Sequence, residues 1–342
     1  MACVVEAARV PVRRVRMRGK FGEHQTVRSI LKSLPKTVHS DVTRAGIGED
    51  YARLLLYSGE DINVATGVCG DLGEAGLRLD IARLYNSLRI GGYEPWAATD
   101  TIVMPDSDER RMKKLLRKLA GVCAEYGVDI AAGHTEVNSS VMEPIISITM
   151  IGRKSKPDTD GLCTDHKNAA DIKADADIVM CGQTGVGGTL QLYFDHQKEL
   201  FSRYSESYLR PVEQLGRLIT LGKQVDIAYA HGVRYAHDIS RGGIFAALWE
   251  MGDALGTGLC VCHDDIPILQ ETIEICEHTG DNPYMIDGCG AALFVTADGE
   301  ALSDELYEAG YEAAVIGHLT EGSDRVVTHD DERRFLTPPR YL

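Results

Sequence analysis

Residues 177–189 read DIVMCGQTGVGGT, an apolar run that passes straight into four glycines within seven residues. A short apolar run bounded by glycine has the length of a buried strand. The glycines of 182–188 then mark a tight turn, and a short helix is expected behind them. Such a junction has two physical uses. Glycines let backbone N–H groups close on phosphate oxygens, and a helix N-terminus adds partial positive charge. They also let a strand turn sharply into a helix with no ligand at all. No lysine follows, so the Walker pattern is absent, and the spacing is not that of G-x-G-x-x-G.

The same grammar recurs on either side. Residues 233–237 read as a strand, followed by Asp238-Ile239-Ser240-Arg241-Gly242-Gly243 and a helix to about residue 254. An aspartate at a strand end can ligate Mg²⁺ or receive a proton, or it can cap the next helix. The paired glycines leave the helix start open to an anion. Upstream, a strand at 128–132 runs into Gly133-His134-Thr135-Glu136, a base, a hydroxyl and a carboxylate where sites collect in α/β proteins. His134 there orients phosphate or moves protons, or is a satisfied structural histidine. Gly48-Glu49-Asp50 precedes an apolar strand at 51–57, and its carboxylates serve Mg²⁺ or simply a solvated turn.

Periodicity supplies the rest. Further strands are expected at 10–20, 62–66, 98–103, 144–151, 258–263, 290–296, 313–317 and 325–328. Arg14, Arg16 and Arg18 on the first face phosphate or protect an exposed edge. Leu77, Ile81, Leu84 and Leu88 recur at helical spacing up to Gly91-Gly92. Asp106 and Glu109 have capping-box spacing before the stripe Met112, Leu115, Leu116, Leu119, Val122, and Gly127 ends that helix. Helices are also expected at 24–34, 208–223, 268–278 and 301–309. The polar, Lys- and Asp-rich residues 154–175 read as a linker between two α+β domains, 1–153 and 176–330, with a tail at 331–342.

Lys and Arg number 36 against 51 Asp and Glu, a net charge of −15 that disfavours a global grip on nucleic acid or an anionic membrane. Any anionic ligand needs a local site. No apolar run reaches the length of a membrane span, and MACVVEAARV, with Glu6, is no signal peptide. Nine dispersed cysteines fit reduced thiols in a cytoplasm better than a disulfide framework. Cys260-x-Cys262-His263 lacks zinc-site spacing; on a strand the two thiols share a face and His263 points away, so buried core thiols are expected.

Taken in order, these segments resemble the AIR-synthase-like (PurM/HypE-type) superfamily of ATP-dependent enzymes. The resemblance runs through Gly19-Lys20, GIGED (46–50), Asn86 with GGYEPWAATDTIVMP (91–105), AAGHTEV (131–137), PIISITMIG (144–152), GQTGVGGT (182–189), HDISRGG (237–243), NPYMIDGCGAALF (282–294) and VIGHLTEG (315–322). It is most similar to the branch carrying G-H-T-E-V that is grouped with hydrogenase-maturation factors. The resemblance implies an N-terminal α/β domain that forms a β-barrel with a second subunit, a C-terminal α+β domain, and ATP with Mg²⁺ between them. It implies phosphorylation of an oxygen on a small amide- or carboxylate-like substrate. On that reading Gly19 and Lys20 meet phosphate, Asp50 and Glu136 hold the metal, and Asn86, His134 and Thr135 line the nucleotide site. Asp238 approaches the reacting phosphate, Gly242 and Gly243 open the helix start to it, and the loop with Gly185 and Gly187 borders the substrate.

The departures bear on the same chemistry. The family's Thr-Asp is Thr66-Gly67 here, and its Asn-Asp is Asn86-Ser87, so two Mg²⁺ carboxylates are missing, with Asp71 or Glu74 as substitutes. The chain ends Pro338-Pro339-Arg340-Tyr341-Leu342, with no terminal thiol to carry a modified group, and Cys3 lies far from Gly19. Two other classes therefore stand beside the enzyme: a non-catalytic dimeric binding or scaffold protein, and a metal-binding protein built on Cys260, Cys262 and His263.

Overall fold

The computed structural model describes residues 19–20, 28–29, 31–33, 62–73, 75–154, 172 and 174–338. The expected strand at 51–57, Asp50 and Glu74 lie outside the described residues, as does most of the first strand, of the helix at 24–34 and of the linker.

The first sheet contains β1 (Gly19–Lys20), β2 (Ile62–Cys69), β3 (Tyr93–Met104), β4 (Asp129–Val137) and β5 (Ile145–Lys154), in the order β1-β4-β3-β5-β2. β5 runs antiparallel to both β2 and β3, and β3 is parallel to β4. β2, β3 and β4 thus run the same way, and their C-terminal ends share one sheet edge. Helices α1 (Gly76–Ile90) and α2 (Glu109–Glu125) cover one face. Leu77, Ile81, Leu84 and Leu88 of α1 and Met112, Leu116 and Leu119 of α2 pack there on Ile102, Ile146, Ile148 and Met150. The opposite face carries Ile62, Val64, Val68 and Ile145, all exposed.

The second sheet holds β6 (Asp177–Cys181), β7 (Tyr235–Ile239), β8 (Gly258–Cys262), β9 (Ala291–Thr296), β10 (Ala313–Thr320), β11 (Arg325–His329) and β12 (Glu332–Phe335), in the order β12-β11-β8-β10-β6-β9-β7. Helix α7 (Gly243–Leu255) packs Ile244, Leu248 and Met251 on one face, against Met180, Leu293 and Val261. Helices α6 (Lys223–His231) and α9 (Gly299–Glu308) cover the other through Val225, Leu302 and Leu306. A third apolar cluster joins the two units. Ala75, Leu79 and Ala82 lie against Val186, Leu190 and Tyr193 of α3 (Val186–Asp195), Leu209 and Val212 of α5 (Glu206–Gln214), and Ile275 of α8 (Gln270–Thr279). One short helix, α4 (Gln197–Arg203), completes the set between α3 and α5.

Several elements differ from expectation for identifiable reasons. The α2 cap is Asp108, whose carboxylate accepts from the N–H groups of Arg110 and Arg111 at 2.9 and 3.2 Å; Asp106 holds only the Asp108 N–H, at 3.0 Å. Glu109 is spent on Arg28. The helix expected at 208–223 is broken after Gln214 by a 3₁₀ turn at Leu215–Arg217 and restarts at Lys223. β4 continues through Gly133-His134-Thr135-Glu136, and β7 through His237-Asp238, so both motifs lie within strands and not in the loops after them. The tail expected from residue 331 is in part β12, which pairs with β11 and extends the sheet to Phe335. The N-terminal sheet is open among the described residues, so the barrel expected from the resemblance is not formed within the chain they describe.

Candidate functional site

Helix α1 connects the two domains through residues spaced three apart. Asp80, Arg83, Asn86 and Arg89 form a polar strip winding along it. Arg83 pairs with Asp80 and reaches Asp287 of the second domain, at 2.8 Å from Nε and 2.7 Å from Nη2. Asn86 donates to the Ile219 carbonyl at 2.9 Å and accepts from the Leu221 N–H at 2.7 Å. Arg89 donates to Asp226 at 2.6 Å.

At the N-terminal end of this strip lies a cleft of about 300 Å³, lined by Gly67, Asp80, Arg83, Ser240, Arg241 and Glu250 among others. Arg241 enters from the β7–α7 turn and donates to Asp80 at 2.7 Å. Asp80 also accepts from the Gly70 N–H at 3.2 Å, so this buried carboxylate is held by two guanidiniums and a peptide group. Just behind, the His237 imidazole faces Glu250 at 3.2 Å and the Asp238 carbonyl at 2.8 Å. Burial alone would lower the His237 pKa, but the bond to Glu250 and the charge of Asp238 outweigh it and raise it. Burial raises the Asp238 carboxyl above the ordinary aspartate range, with His237 pulling the other way. Glu250 links the cleft to this pair, an imidazole and a carboxyl that both titrate higher than usual.

The turn between β7 and α7 separates this cleft from a larger cavity of about 1350 Å³ within the second domain. Gly242 lines it, together with Phe245 and Tyr284, whose rings stack at 5.5 Å, and with His263, His329 and Arg334. Gly242 and Gly243 both have left-handed φ, +84° and +67°. A Cβ on Gly243 would lie 2.4 Å from the Tyr284 carbonyl, so the turn closes tightly over the loop beneath.

The structure brings some expected residues together and separates others. Gly19 and Lys20 pair with Val137 and Glu136 across β1–β4, which sets Lys20 beside the His134–Glu136 strand. His134 and Glu136 face each other at 3.3 Å on the face opposite α1 and α2, and Asn138 donates to Glu136 at 3.1 Å. Those bonds, Asn138 first, hold the Glu136 carboxyl below its ordinary range. Thr135 alternates to the opposite face. Val68, Ser147, Thr101 and His134 form one row across the sheet. His134 therefore lies three strand spacings, roughly 14 Å, from the cleft side of the sheet.

Asn86 is buried, and its amide is engaged by the second domain in place of the nucleotide contact expected of it. Gly185 and Gly187 are also buried. A Cβ on Gly187 would meet the Asp287 carboxylate at 2.4 Å, and one on Gly185 the Pro283 carbonyl at 2.8 Å. The glycine turn is thus used for close packing against residues 283–289, where a substrate border was expected. Asp71, offered as a substitute metal ligand, accepts from the Gly73 N–H at 2.7 Å and from Gln191 at 2.9 Å. Cys260 and Cys262 are partly exposed and not core thiols, because β8 turns Leu259 and Val261 inward instead. By contrast Cys69, Cys181 and Cys276 are buried, and burial pushes each thiol up to about 12.

Sequence reasoning passed over Asp80, Arg83, Glu250 and Asp287. Asp80 and Arg83 sit on the polar side of an amphipathic helix, where charged residues are ordinary. Their three-residue spacing, continued by Asn86 and Arg89, is the one signal that a polar strip meets a partner.

Comparison with known proteins agrees with this fold. The family model for the N-terminal domain of AIR synthase related proteins matches residues 73–154, and that for the C-terminal domain matches residues 178–330. A putative hydrogenase expression/formation protein of Methanocaldococcus jannaschii is 26% identical over 264 residues, covering 75% of this chain and 73% of its own. Carbamoyl dehydratase HypE of Rhodobacter capsulatus is 24% identical over 261 residues, 76% of this chain and 72% of that one. A hydrogenase maturation protein HypE solved in complex with ATP superposes with a TM-score of 0.69 at 16% identity, over 93% of this chain and 94% of that one. Two sheets, joined through a shared helix and each matched by its own domain model, place this chain in the AIR synthase related family.

Proposed function

We propose that this chain is an ATP-dependent enzyme that phosphorylates an oxygen of a small amide- or carboxylate-like substrate, with the nucleotide held between its two domains. The observation that carries this reading is the cleft in which Arg83 and Arg241 converge from different domains. In a chain of net charge −15, two guanidiniums meeting beside a helix start mark a place for an anion. The Arg241 side chain is 62% exposed and can exchange Asp80 for a phosphate oxygen. The likeness to carbamoyl dehydratase HypE and to a HypE solved with ATP supports the nucleotide and the class of reaction.

In the reaction, the substrate oxygen attacks the γ-phosphorus. A new O–P bond forms, the bond from that phosphorus to the ADP oxygen breaks, and ADP leaves. With an amide substrate the proton lost is that of its N–H, given up as the oxygen is phosphorylated, and it passes to Asp238, whose burial makes it a better base than an exposed aspartate; a carboxylate substrate releases none. An amide oxygen leaves poorly and a phosphate leaves well, so the protein's task is positioning and charge neutralisation. Lys20 and His134 lie on neighbouring strands and serve the outer part of the nucleotide, whereas Thr135 faces the other side of the sheet.

Mg²⁺ fits the described residues poorly. Gly67 has no side chain, the Ser87 hydroxyl donates to the Arg83 carbonyl at 2.9 Å, and Asp80 is neutralised by two guanidiniums. Glu136 remains, with Asp50 outside the described residues. A hard divalent ion needs several oxygen ligands and ordered water. Arg83 and Arg241 therefore take the charge-neutralising role, and no step is assigned to a metal.

The exposed apolar residues of β2 and β5 support pairing with a second copy of the chain, a homodimer with a shared barrel. No described helix is long and apolar enough to cross a membrane, and the free thiols suit a reducing cytoplasm. A second reading, a non-catalytic ligand-binding or scaffold relative, is favoured by one observation: Asn86 and the glycine turn are committed to holding the domains together.

Calorimetry separates the two. Micromolar ATP binding, with or without Mg²⁺, is expected, and Arg241→Ala should weaken it about tenfold or more. Asp238→Asn should leave binding intact while lowering substrate-dependent ATP turnover about a hundredfold. No ATP binding under either condition would overturn the enzyme reading in favour of the scaffold.

A further inference from the structure

β8 and β11 are parallel neighbours, with Cys262 opposite Thr328. The next residue on each strand is a histidine. His263 opens a 3₁₀ turn, His263–Asp265, immediately after β8, and His329 ends β11. Topology thus delivers two imidazoles to one sheet edge, with Asp264 between them. Asp264 Oδ1 lies 2.7 Å from His329 Nδ1 and 3.4 Å from His263 Nδ1. One ligand atom from each of the three residues falls within 4.8 Å of the others. The Tyr284 ring packs on His263 at 4.5 Å and restrains it.

We propose that His263, Asp264 and His329 form a binding site for a divalent transition-metal ion, open on one side to the large cavity of the second domain. Around a tetrahedral ion with bonds near 2.0–2.1 Å, neighbouring ligand atoms are roughly 3.3 Å apart. The observed separations bracket that value without a change of backbone. Two imidazoles and one carboxylate select zinc-like ions over Mg²⁺ or Ca²⁺, which prefer all-oxygen shells. Both histidines line the cavity, so a fourth position is left to water or to an oxygen donor of a molecule bound there. Three protein ligands with one open position is the pattern of reactive rather than purely structural zinc. The half-exposed side chains give the ion a way in. This site owes nothing to the nucleotide cleft, and it differs from the Cys260, Cys262 and His263 set considered from sequence. Among the described residues those thiols do not join the cluster; its other members are Asp264 and His329.

The test uses the full chain, stripped with a chelator and titrated with Zn²⁺ by calorimetry. One equivalent should bind at micromolar affinity or tighter, raise the melting temperature, and resist millimolar Mg²⁺. Proton release should accompany binding. His329→Ala and Asp264→Asn should each weaken binding at least tenfold while the far-ultraviolet circular dichroism is unchanged. The double variant Cys260→Ser, Cys262→Ser should bind as the parent does. Co²⁺ should give the visible bands of a four-coordinate site, lost in His329→Ala. Absence of saturable binding, displacement by Mg²⁺, or loss of binding in the cysteine variant with retention in His329→Ala would each overturn the assignment.

Discussion

Asp100 lies on the helix-covered face of β3, 8% exposed, with Gly133 opposite on β4. A Cβ on Gly133 would come within 2.7 Å of its carboxylate, so the glycine makes room for the acid. Burial pushes the Asp100 carboxyl up to about 7 from 3.8. Near pH 3 the group is protonated in both folded and unfolded chains. As pH rises toward 7 only the unfolded chain ionises, so stability falls across that window and levels off above it. Asp100→Asn should flatten this dependence and stabilise the protein at pH 8 by about 2–4 kcal/mol. Chemical denaturation at pH 5 and pH 8 measures the difference, and equal effects at both would refute it. A second residue-scale expectation concerns Gly187. Its missing Cβ leaves space that Asp287, Cys289 and Leu79 occupy, at 2.4, 3.0 and 3.0 Å. Gly187→Ala should cost about 1–3 kcal/mol through overpacking between the domains, seen as a lower melting temperature. Neither effect was visible in the sequence. Asp100 is the middle of three consecutive polar residues, Thr99-Asp100-Thr101, in an expected strand, and Gly187 reads as part of a phosphate-type turn.

Among elements, α2 was legible because its apolar stripe repeats at helical spacing, and packing then rewarded that stripe. Its start was not, because Asp106 and Asp108 both have capping chemistry and only backbone direction selects between them. Asp108→Ala should therefore cost about 0.5–2 kcal/mol, and Asp106→Ala distinctly less; thermal melts of the two variants compare them directly. β4 ran longer than its motif suggested, and β7 lies two residues further along the chain than expected. Glycine, histidine and aspartate are poor strand formers, yet ladder bonds to β3 and to β9 carry them in the sheet. β12 went unseen because Glu332, Arg333 and Arg334 are exposed and show no apolar alternation. The helix expected at 208–223 failed at the 3₁₀ turn Leu215–Arg217, which keeps Leu215 and Ile219 in the interdomain cluster before α6 begins a separate contact, Asp226 with Arg89.

At the scale of the molecule, the open face of the first sheet supplies the remaining prediction. Val64 is 53% exposed in the middle of β2, and the free face around it is the surface proposed to pair with a second copy. Val64→Glu should leave the fold intact and convert a sedimenting dimer to a monomer; a parent chain that sediments as a monomer would refute the pairing. From the sequence by itself, periodicity gave two α+β domains, and the resemblance carried by ordered motifs such as GQTGVGGT and HDISRGG gave the AIR synthase related fold, because such short motifs are local and need no tertiary contact to be recognised. Residue identity alone places Gly67 and Ser87 where the resemblance leads one to expect carboxylates. Only the tertiary structure decided that Arg83 and Arg241 face each other across Asp80, that Asn86 ties the domains together, and that His263 and His329 meet at one sheet edge. Those pairs lie far apart in the chain or on strands whose order periodicity does not fix, and side-chain chemistry becomes a site only when the fold sets its distances.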